Sequence, residues 1–369
     1  MTVPERPRFD YEIPLPASRE HGIGIVGAGT IVTNSHLPAY AEAGFRVVAI
    51  ADKDLAKAER LAGRFRIPKA YVSAAELLAD PDVDVVDIAL PPDRQPPVAL
   101  EAIAAGKHVQ CHKPLAMSFD DACAIVQAAD RAGVQLAVNQ NARWLPGIRS
   151  TGNLLRRGTL GEPSGAAFDL AWRNAWESMD PHWLDLSDLT LRTDCVHHLD
   201  VCRFLFGEPE WIFATSWRTP GQLPRGDTTV HIALRYSDTL GATIRSNGEK
   251  AIGEDWARWR VEGSEGIASG TYAQYTHYGL PVPDEFEVVL AGQPGCVFRP
   301  ALPYTVIPHA FIATMAQLLI AVESGAEAET SGRDNLRTMR LIEAAVRSIS
   351  EQRAVRPEEI ASLDEMATA

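Results

Sequence analysis

Cysteine is scarce and unpatterned in this chain: five residues, at positions 111, 123, 195, 202 and 296, with no CxxC spacing among them. Neither a disulfide framework nor a zinc knuckle is indicated. Positive charge is also short. Lys and Arg number 35 against 48 Asp and Glu, giving −13 at pH 7. Without a basic stripe a nucleic-acid partner is not expected. Long acidic runs are missing too, so the excess charge is spread out and favours solubility. No uninterrupted apolar run reaches the roughly 20 residues of a membrane span. The first twenty residues are rich in Pro and charge and contain no apolar signal segment, so neither a membrane partner nor export is expected and a cytoplasmic location is. Internal repeats and low-complexity tracts are absent. What is present, 46% hydrophobic and 22% charged residues in 369, suits a soluble globular protein long enough for two cores.

The most informative stretch runs from Ile23 to Asp52. Ile23, Ile25 and Val26 read as a short buried strand. The turn Gly27-Ala28-Gly29-Thr30-Ile31-Val32 follows, then a helix from Thr33 to Ala43 and a second strand from Arg46 to Ala51. Gly27 permits a tight turn. Gly29 lets backbone approach a pyrophosphate at the helix N-terminus, beside Thr30 and Ile31. The carboxylate of Asp52 can accept hydrogen bonds from an adenosine ribose and would repel a 2′-phosphate, so NAD is expected over NADP; Lys53, next in the chain, partly offsets that repulsion. Val32 departs from the pattern, since a small residue there usually lets helix and strand pack closely. A glycine turn in an ordinary α/β protein is the bland alternative; strand, glycines, helix and acid in order favour the dinucleotide.

Residues 1–21, with Pro4, Pro7, Pro14 and Pro16, read as an extended arm that either crosses to a partner subunit or is disordered. From 22 to about 140, strand and helix alternate. Leu55, Ala58, Leu61, Ala62 and Phe65 have helical period. Ser73 to Glu76 and Ser118 to Asp121 are helix-opening capping boxes. Helices over 97–105 and 118–132 stop near Gly106 and Gly133. Val83–Leu90, His108–Cys111 and Gln135–Val138 read as buried parallel strands. After 140 the texture changes. Segments 166–172, 211–217, 228–236, 240–246 and 256–262 alternate or run apolar between turn residues, which predicts a mostly antiparallel sheet. A helix is expected from Asp194 to Phe206, stopped by Gly207, and a long helix pair from His309 to Ser350, interrupted at Gly325 to Gly332.

A second motif is the strand Gly106-Lys107-His108-Val109-Gln110-Cys111 running into His112-Lys113-Pro114. In an open parallel sheet ligands sit at the carboxyl ends of strands, so Lys113 is expected in the cofactor cleft. With Asp87-Ile88-Ala89-Leu90-Pro91-Pro92, Gly161-Glu162-Pro163, His197-His198-Leu199-Asp200 and the segment from Ser331-Gly332-Arg333-Asp334-Asn335 to Val355, the chain resembles the glucose–fructose oxidoreductase / inositol dehydrogenase (Gfo/Idh/MocA) family over nearly its whole length. The resemblance implies an α/β fold: an N-terminal Rossmann domain with a doubly wound parallel sheet, expected over 22–140, then an α+β domain with a large open, mostly antiparallel sheet over 141–355, and a tail over 356–369. It implies NAD or NADP and chemistry on a sugar or polyol carbinol. The family's EKP lysine, beside the reacting hydroxyl, is here Lys113, and its second-domain histidine is His197, three residues before Asp200. His112 replaces the glutamate of EKP, near the nicotinamide ribose, where a neutral imidazole can still accept a hydrogen bond. Loss of that anion should lower the lysine's pKa relative to a typical member. Thr193 stands where an acid usually lies four residues before the histidine; Asp194, three before, shares a helix face with His197 and can orient it.

Each candidate has a bland reading beside it. Lys113 can snorkel to solvent. His197 can be a helix histidine packed on the sheet, with His198 the competitor if the helix is rotated. Asp200 reads as a structural partner. Asp194, His197, His198 and Asp200 together could ligate Zn²⁺, but no further His/Cys pair supports it and no metal is expected. Leu90, Pro91 and Gln95, with His112 and Asn141, are expected to contact the cofactor. Arg143 either binds substrate hydroxyls or an anionic group, or is a salt bridge between domains. Trp172, Arg173, Trp176, His182 and Trp183 offer aromatic walls and donors for a pyranose, with Trp172, Arg173, His182 and His198 assigned to substrate; alternatively the tryptophans are core or subunit interface. Cys111 and Cys195 read as small buried hydrophobes.

The leading function is an NAD(P)-dependent dehydrogenase acting on a CH–OH of a sugar, sugar acid, polyol or glycoside: His197 is general base, Lys113 stabilises the developing alkoxide and Asp194 orients the imidazole. Two alternatives stand beside it: a glycosidase or lyase working through transient oxidation with no net NADH, and a non-catalytic NAD(H) sensor. A homodimer or homotetramer formed through the open sheet is expected.

Overall fold

The computed structural model describes residues 7–9, 11–174, 176–178, 181–249, 253–276, 282–293 and 295–361, the side chains of 178, 182, 274 and 276 excepted. The chain divides into two compact units. Among the described residues the first unit holds Ile13–Asn141 and Ile307–Met339; the second holds residues 7–12, Ala142–Val306 and Arg340–Ala361.

The first unit is built on β1 (Ile23–Val26), β2 (Val47–Ala51), β3 (Lys69–Tyr71), β4 (Val85–Ile88), β5 (His108–Cys111) and β6 (Leu136–Val138). All pairings are parallel and the order is 3-2-1-4-5-6. Strand order therefore reverses at β1/β4, the place where an open α/β sheet leaves a crevice for a ligand. The short edge strand β3 was not legible in the sequence. Helix ends follow local chemistry. The Ser73 and Ser118 hydroxyls accept from the backbone N–H of Glu76 and Asp121, at 3.2 and 3.1 Å. Gly133, at φ 68°, closes helix Phe119–Ala132. Helix Gln95–Ala104 starts earlier than expected, because Pro96 and Pro97 fit a first turn that needs no N–H.

Ile23, Ile25, Leu37, Tyr40 and Ile50 form one core with Phe311, Met315, Leu318 and Leu319. That packing accounts for the apolarity of Val306–Ser324, the one stretch among the described residues long and apolar enough to cross a membrane. It is 61% buried in the protein, and Ile307 breaks its helical geometry near the start. The expected arm is ordered over 11–20. Glu323 accepts from Ala17 N and Ser18 N at 2.9 and 2.7 Å in the first unit; Tyr11, in the second, is buried and donates to Trp144 O.

The second unit carries β7 (Pro163–Ala171), β8 (Trp211–Trp217), β9 (Thr229–Arg235), β10 (Gly241–Asn247), β11 (Trp256–Gly263), β12 (Gly266–Thr271), β13 (Phe286–Leu290) and β14 (Val297–Phe298). Their order is 14-13-12-11-7-10-9-8, antiparallel except for the parallel pair β7/β10. Strict alternation separates two faces. Phe168, Ile232, Ile244, Trp259 and Val288 face the buried side. Phe213, Ala233, Thr243, Ala167, Arg260, Ser269 and Glu287 form one register row on the opposite face, across seven strands. Strands β12, β13 and β14 were missed in the sequence, where glycines and short length weaken the alternation signal.

Candidate active site

At the C-terminal end of β1, Gly27 adopts φ 110° and its N–H bonds Ala51 O at 2.8 Å. A Cβ there would lie 2.6 Å from Ala89 O, so glycine is required by the fold itself. Around Gly29 a Cβ would meet nothing within 4 Å, which leaves open backbone at the start of the following helix. Val32, the departure from the glycine pattern, is fully buried and begins a π-helical turn, Val32–His36. Asp52 binds the glycine turn: its Oδ2 accepts Ala28 N at 2.8 Å and its Oδ1 accepts Asp54 N at 2.9 Å. Each oxygen keeps a lone pair for a ribose hydroxyl.

The end of β5 lies over a buried polar network. Asp87, in β4, accepts from His36 Nδ1 at 2.6 Å and Tyr40 OH at 2.7 Å. Gln110 donates to the same tyrosine oxygen at 3.1 Å, and Asn139 Nδ2 meets His36 Nε2 at 3.4 Å. Asp87, His36, Tyr40, Gln110 and Asn139 are all fully buried. Sequence reasoning passed over this network. Its one signal was an acid inside an apolar strand, which must find partners. The His112 ring lies 5.7 Å from that of His36. Burial, then the neighbouring His36 and Lys113, hold its pKa well below the ordinary value, so the imidazole is neutral. Asn139 Oδ1, His112 Nδ1 and Asn141 Oδ1 are buried with no hydrogen-bond partner among the described residues. Acceptors and donors left open at the ends of β5 and β6, with open backbone at Gly29 and the carboxylate of Asp52, fit a dinucleotide. Leu90 and Pro91 follow β4 beside the Gly27 turn, half-buried. Gln95 differs from expectation. Both its amide hydrogens go to protein carbonyls, His112 O and Pro114 O, so none remains to donate to a cofactor.

In the second unit, the expected helix is a π-turn, Leu191–Cys195, followed by helix Val196–Phe206. A π-turn carries an extra residue, so Asp194 and His197 do not have the simple three-apart relation of one α-helix. Asp194 is half-buried and His197 is 6% exposed. His198 is fully buried among Phe168, Tyr272 and Tyr275, with ring centroids 5.3 to 5.9 Å away and Tyr275 OH 3.4 Å from its Nε2. That surrounding is core-like. Asp200, fully buried, receives the Arg143 fork, Nε at 2.5 Å and Nη2 at 2.7 Å, with Arg203 at 3.7 Å. Two alternatives left open by the sequence are thereby narrowed. Asp200 is a structural ion-pair partner, and Arg143 is tied by a salt bridge within the second unit.

Trp172 is 5% exposed and packs on Tyr275 at 4.7 Å; both tyrosines were missed by the sequence reading. Arg173 is surface-exposed beside Glu177 at 3.4 Å, rather than set in a pocket wall, and Trp176 is buried. The side chain of His182 lies outside the described residues. Burial keeps the thiols of Cys111, Cys195 and Cys202 far above their usual range, which bars thiolate chemistry. Among the described residues no group of three or more His, Cys, Asp or Glu side chains is placed to hold a metal ion.

Residues 21–140 match the family described as an oxidoreductase family with NAD-binding Rossmann fold, and 148–269 match the GFO/IDH/MocA C-terminal domain. The chain is 30% identical over 350 residues to a D-apiose dehydrogenase of Paraburkholderia graminis, covering 94% of this chain and 91% of that protein. It is 26% identical over 345 residues to an inositol 2-dehydrogenase of Rhizobium meliloti, covering 90% and 98%. Its fold is that of an oxidoreductase from Agrobacterium radiobacter solved with NAD+, L-tartaric acid and magnesium: TM-score 0.81 at 24% identity, covering 93% of this chain and all of that one. The switch-point crevice, the glycine turn and the two matched domains agree, and the chain belongs to the Gfo/Idh/MocA family of NAD-binding oxidoreductases.

Proposed function

We propose that the protein is an NAD-dependent dehydrogenase of a carbohydrate carbinol: a cyclic sugar, sugar acid, polyol or glycoside. The observation that carries the reading is the Lys113 segment at the end of β5, in a unit whose Asp52 carboxylate is anchored on the glycine turn. The dehydrogenases of D-apiose and inositol among its relatives supply the substrate class. Bound NAD supplies the hydride acceptor. Lys113 is assigned to the developing alkoxide, where a fixed positive charge acts mainly in the transition state. His197 is assigned to the hydroxyl proton as general base, and Asp194 to orienting it. A carboxylate at the end of β2 disfavours a 2′-phosphate, so NAD is preferred over NADP. The second-unit sheet exposes Phe213, Trp217 and Trp256, and a second copy of the chain is the occupant proposed for that face. The cytoplasm is the proposed location; reduced, mostly buried cysteines accord with it.

The test is a panel of monosaccharides including D-apiose, inositols, uronates and glycosides, each offered with NAD and with NADP. The expected result is NADH formed in step with an oxidised carbohydrate, and Asp52→Ser relaxing the cofactor preference. Consumption of a glycoside without NADH would select the glycosidase or lyase alternative. Activity confined to acyclic hydroxy acids would defeat the carbohydrate reading.

A further inference from the structure

One buried side chain holds the backbone on both sides of Lys113. Gln95 is fully buried in the first turn of helix Gln95–Ala104. Its Oε1 accepts from His112 N at 2.8 Å, and its Nε2 donates to His112 O at 3.0 Å and to Pro114 O at 2.9 Å. The clamped groups belong to the residues immediately before and after the lysine. His112 N also bonds Ile88 O at 2.9 Å, a separate backbone bond that ties this segment to the end of β4. A carboxamide is the side chain that offers two donors on one nitrogen and an acceptor beside it. Methionine, of similar length, would take this donor from His112 O and from the buried Pro114 O, while His112 N would keep Ile88 O. Glutamate would set acceptor oxygens against two carbonyls.

We propose that Gln95 is a positioning residue for Lys113: it fixes the direction in which the lysine leaves β5 and so acts on turnover, without touching the cofactor. The proposal rests on the assignment of Lys113 to the alkoxide. Simple support of the fold is the competing explanation, and the experiment separates the two.

Gln95→Met, Lys113→Ala and the double variant are compared with wild type for thermal stability, NAD affinity by calorimetry, and kcat and KM on the carbohydrate giving fastest NADH formation. Gln95→Asn, which keeps the carboxamide one methylene further back, replaces Gln95→Met if the latter does not fold. Misplacing a reacting group by about 1 Å can lower a rate by roughly 100-fold, so Gln95→Met is expected to lower kcat roughly 10- to 100-fold with NAD affinity within about twofold. In the Lys113→Ala background the same change should cost less than about twofold, because two residues acting through one group are not additive. A substrate-independent arm measures acetylation of Lys113 by acetic anhydride, followed by peptide mass spectrometry. Read well below the melting temperature of either protein, its rate should change at least about threefold in Gln95→Met, because a lysine held in another direction meets different charges and a different approach of the reagent; under those conditions a variant that only melts earlier keeps the wild-type rate. An equal loss of kcat in both backgrounds, a weakened NAD affinity with kcat intact, or an unaltered labelling rate overturns the proposal. Near-wild-type turnover by Lys113→Ala would instead defeat the catalytic assignment of the lysine; the labelling rate still decides whether Gln95 sets its surroundings, and decides alone if no carbohydrate turns over.

Discussion

His112 stands where a typical family member has a glutamate, and its surroundings make it neutral. Burial is the main cause, with His36 and Lys113 adding to it. The consequence for stability has a definite sign. As pH falls below about 6.5, an unfolded chain protonates this histidine and the folded chain does not, so the unfolded state gains protons and stability is lost on the acid side. His112→Gln removes that proton uptake. Melting temperatures measured between pH 5 and 8 should therefore fall less steeply towards acid in the variant; equal slopes would contradict the assignment. The paired histidines of the second unit separate in the same way. His197→Ala is expected to lower kcat by at least roughly 100-fold, as for a positioned base, with little change in NAD affinity. His198→Ala, in its cage of Phe168, Tyr272 and Tyr275, should chiefly lower stability. The opposite outcome, turnover lost with His198 and kept without His197, would exchange their roles. The motif was legible in the sequence; which of its two histidines is enclosed by aromatic rings was not, because Tyr272 and Tyr275 lie more than seventy residues away along the chain.

At the scale of the element, the glycine turn contains two glycines required for different reasons. Gly27 has φ 110° and a backbone oxygen 2.6 Å from where a Cβ would be. Gly27→Ala should therefore destabilise the protein by about 1–3 kcal/mol and weaken NAD binding as a result. Gly29 has open space around it, so Gly29→Ala should melt near wild type and still bind NAD more weakly, since the methyl group occupies the approach of the pyrophosphate. Thermal melts and calorimetry on the two variants check this. If Gly29→Ala left NAD affinity unchanged, the open backbone would not be the phosphate cradle. The glycines, the following helix and Asp52 were all readable from spacing. The π-turn at Val32–His36 was not, because a local pattern of apolar residues does not distinguish a turn of 4.4 residues from one of 3.6.

At the scale of the whole molecule, the second-unit sheet has one buried face and one that, among the described residues, carries exposed side chains. The open face is polar in its middle, at Thr243 and Arg260, and carries aromatic side chains on β8 and β11, where Phe213, Trp217 and Trp256 are 38, 45 and 44% exposed. Full burial of an exposed side chain of this kind is worth roughly 1.5–3 kcal/mol, and the share still exposed here leaves about half of that or less for each, which still makes a second copy of this face a favourable cover. Light scattering coupled to size exclusion should show an oligomer for the wild type, and Phe213→Glu with Trp217→Glu should shift it to a smaller species with secondary structure intact. A wild-type monomer at micromolar concentration would remove the proposal.

The sequence by itself determined the parallel α/β unit, the dinucleotide motif, the lysine turn and the histidine helix, because each is written in residues close together along the chain. Strand alternation and helix caps act over a few residues and can be read directly. Only the tertiary structure decided that β3 joins the sheet edge, that Arg143 is held by Asp200, and that Gln95 grips the backbone around Lys113. It alone gathered His36, Tyr40, Asp87, Gln110 and Asn139 into one buried network. The physical reason is common to these cases. A buried polar group must find its partner wherever the fold brings one, and no local pattern states which distant residue that will be.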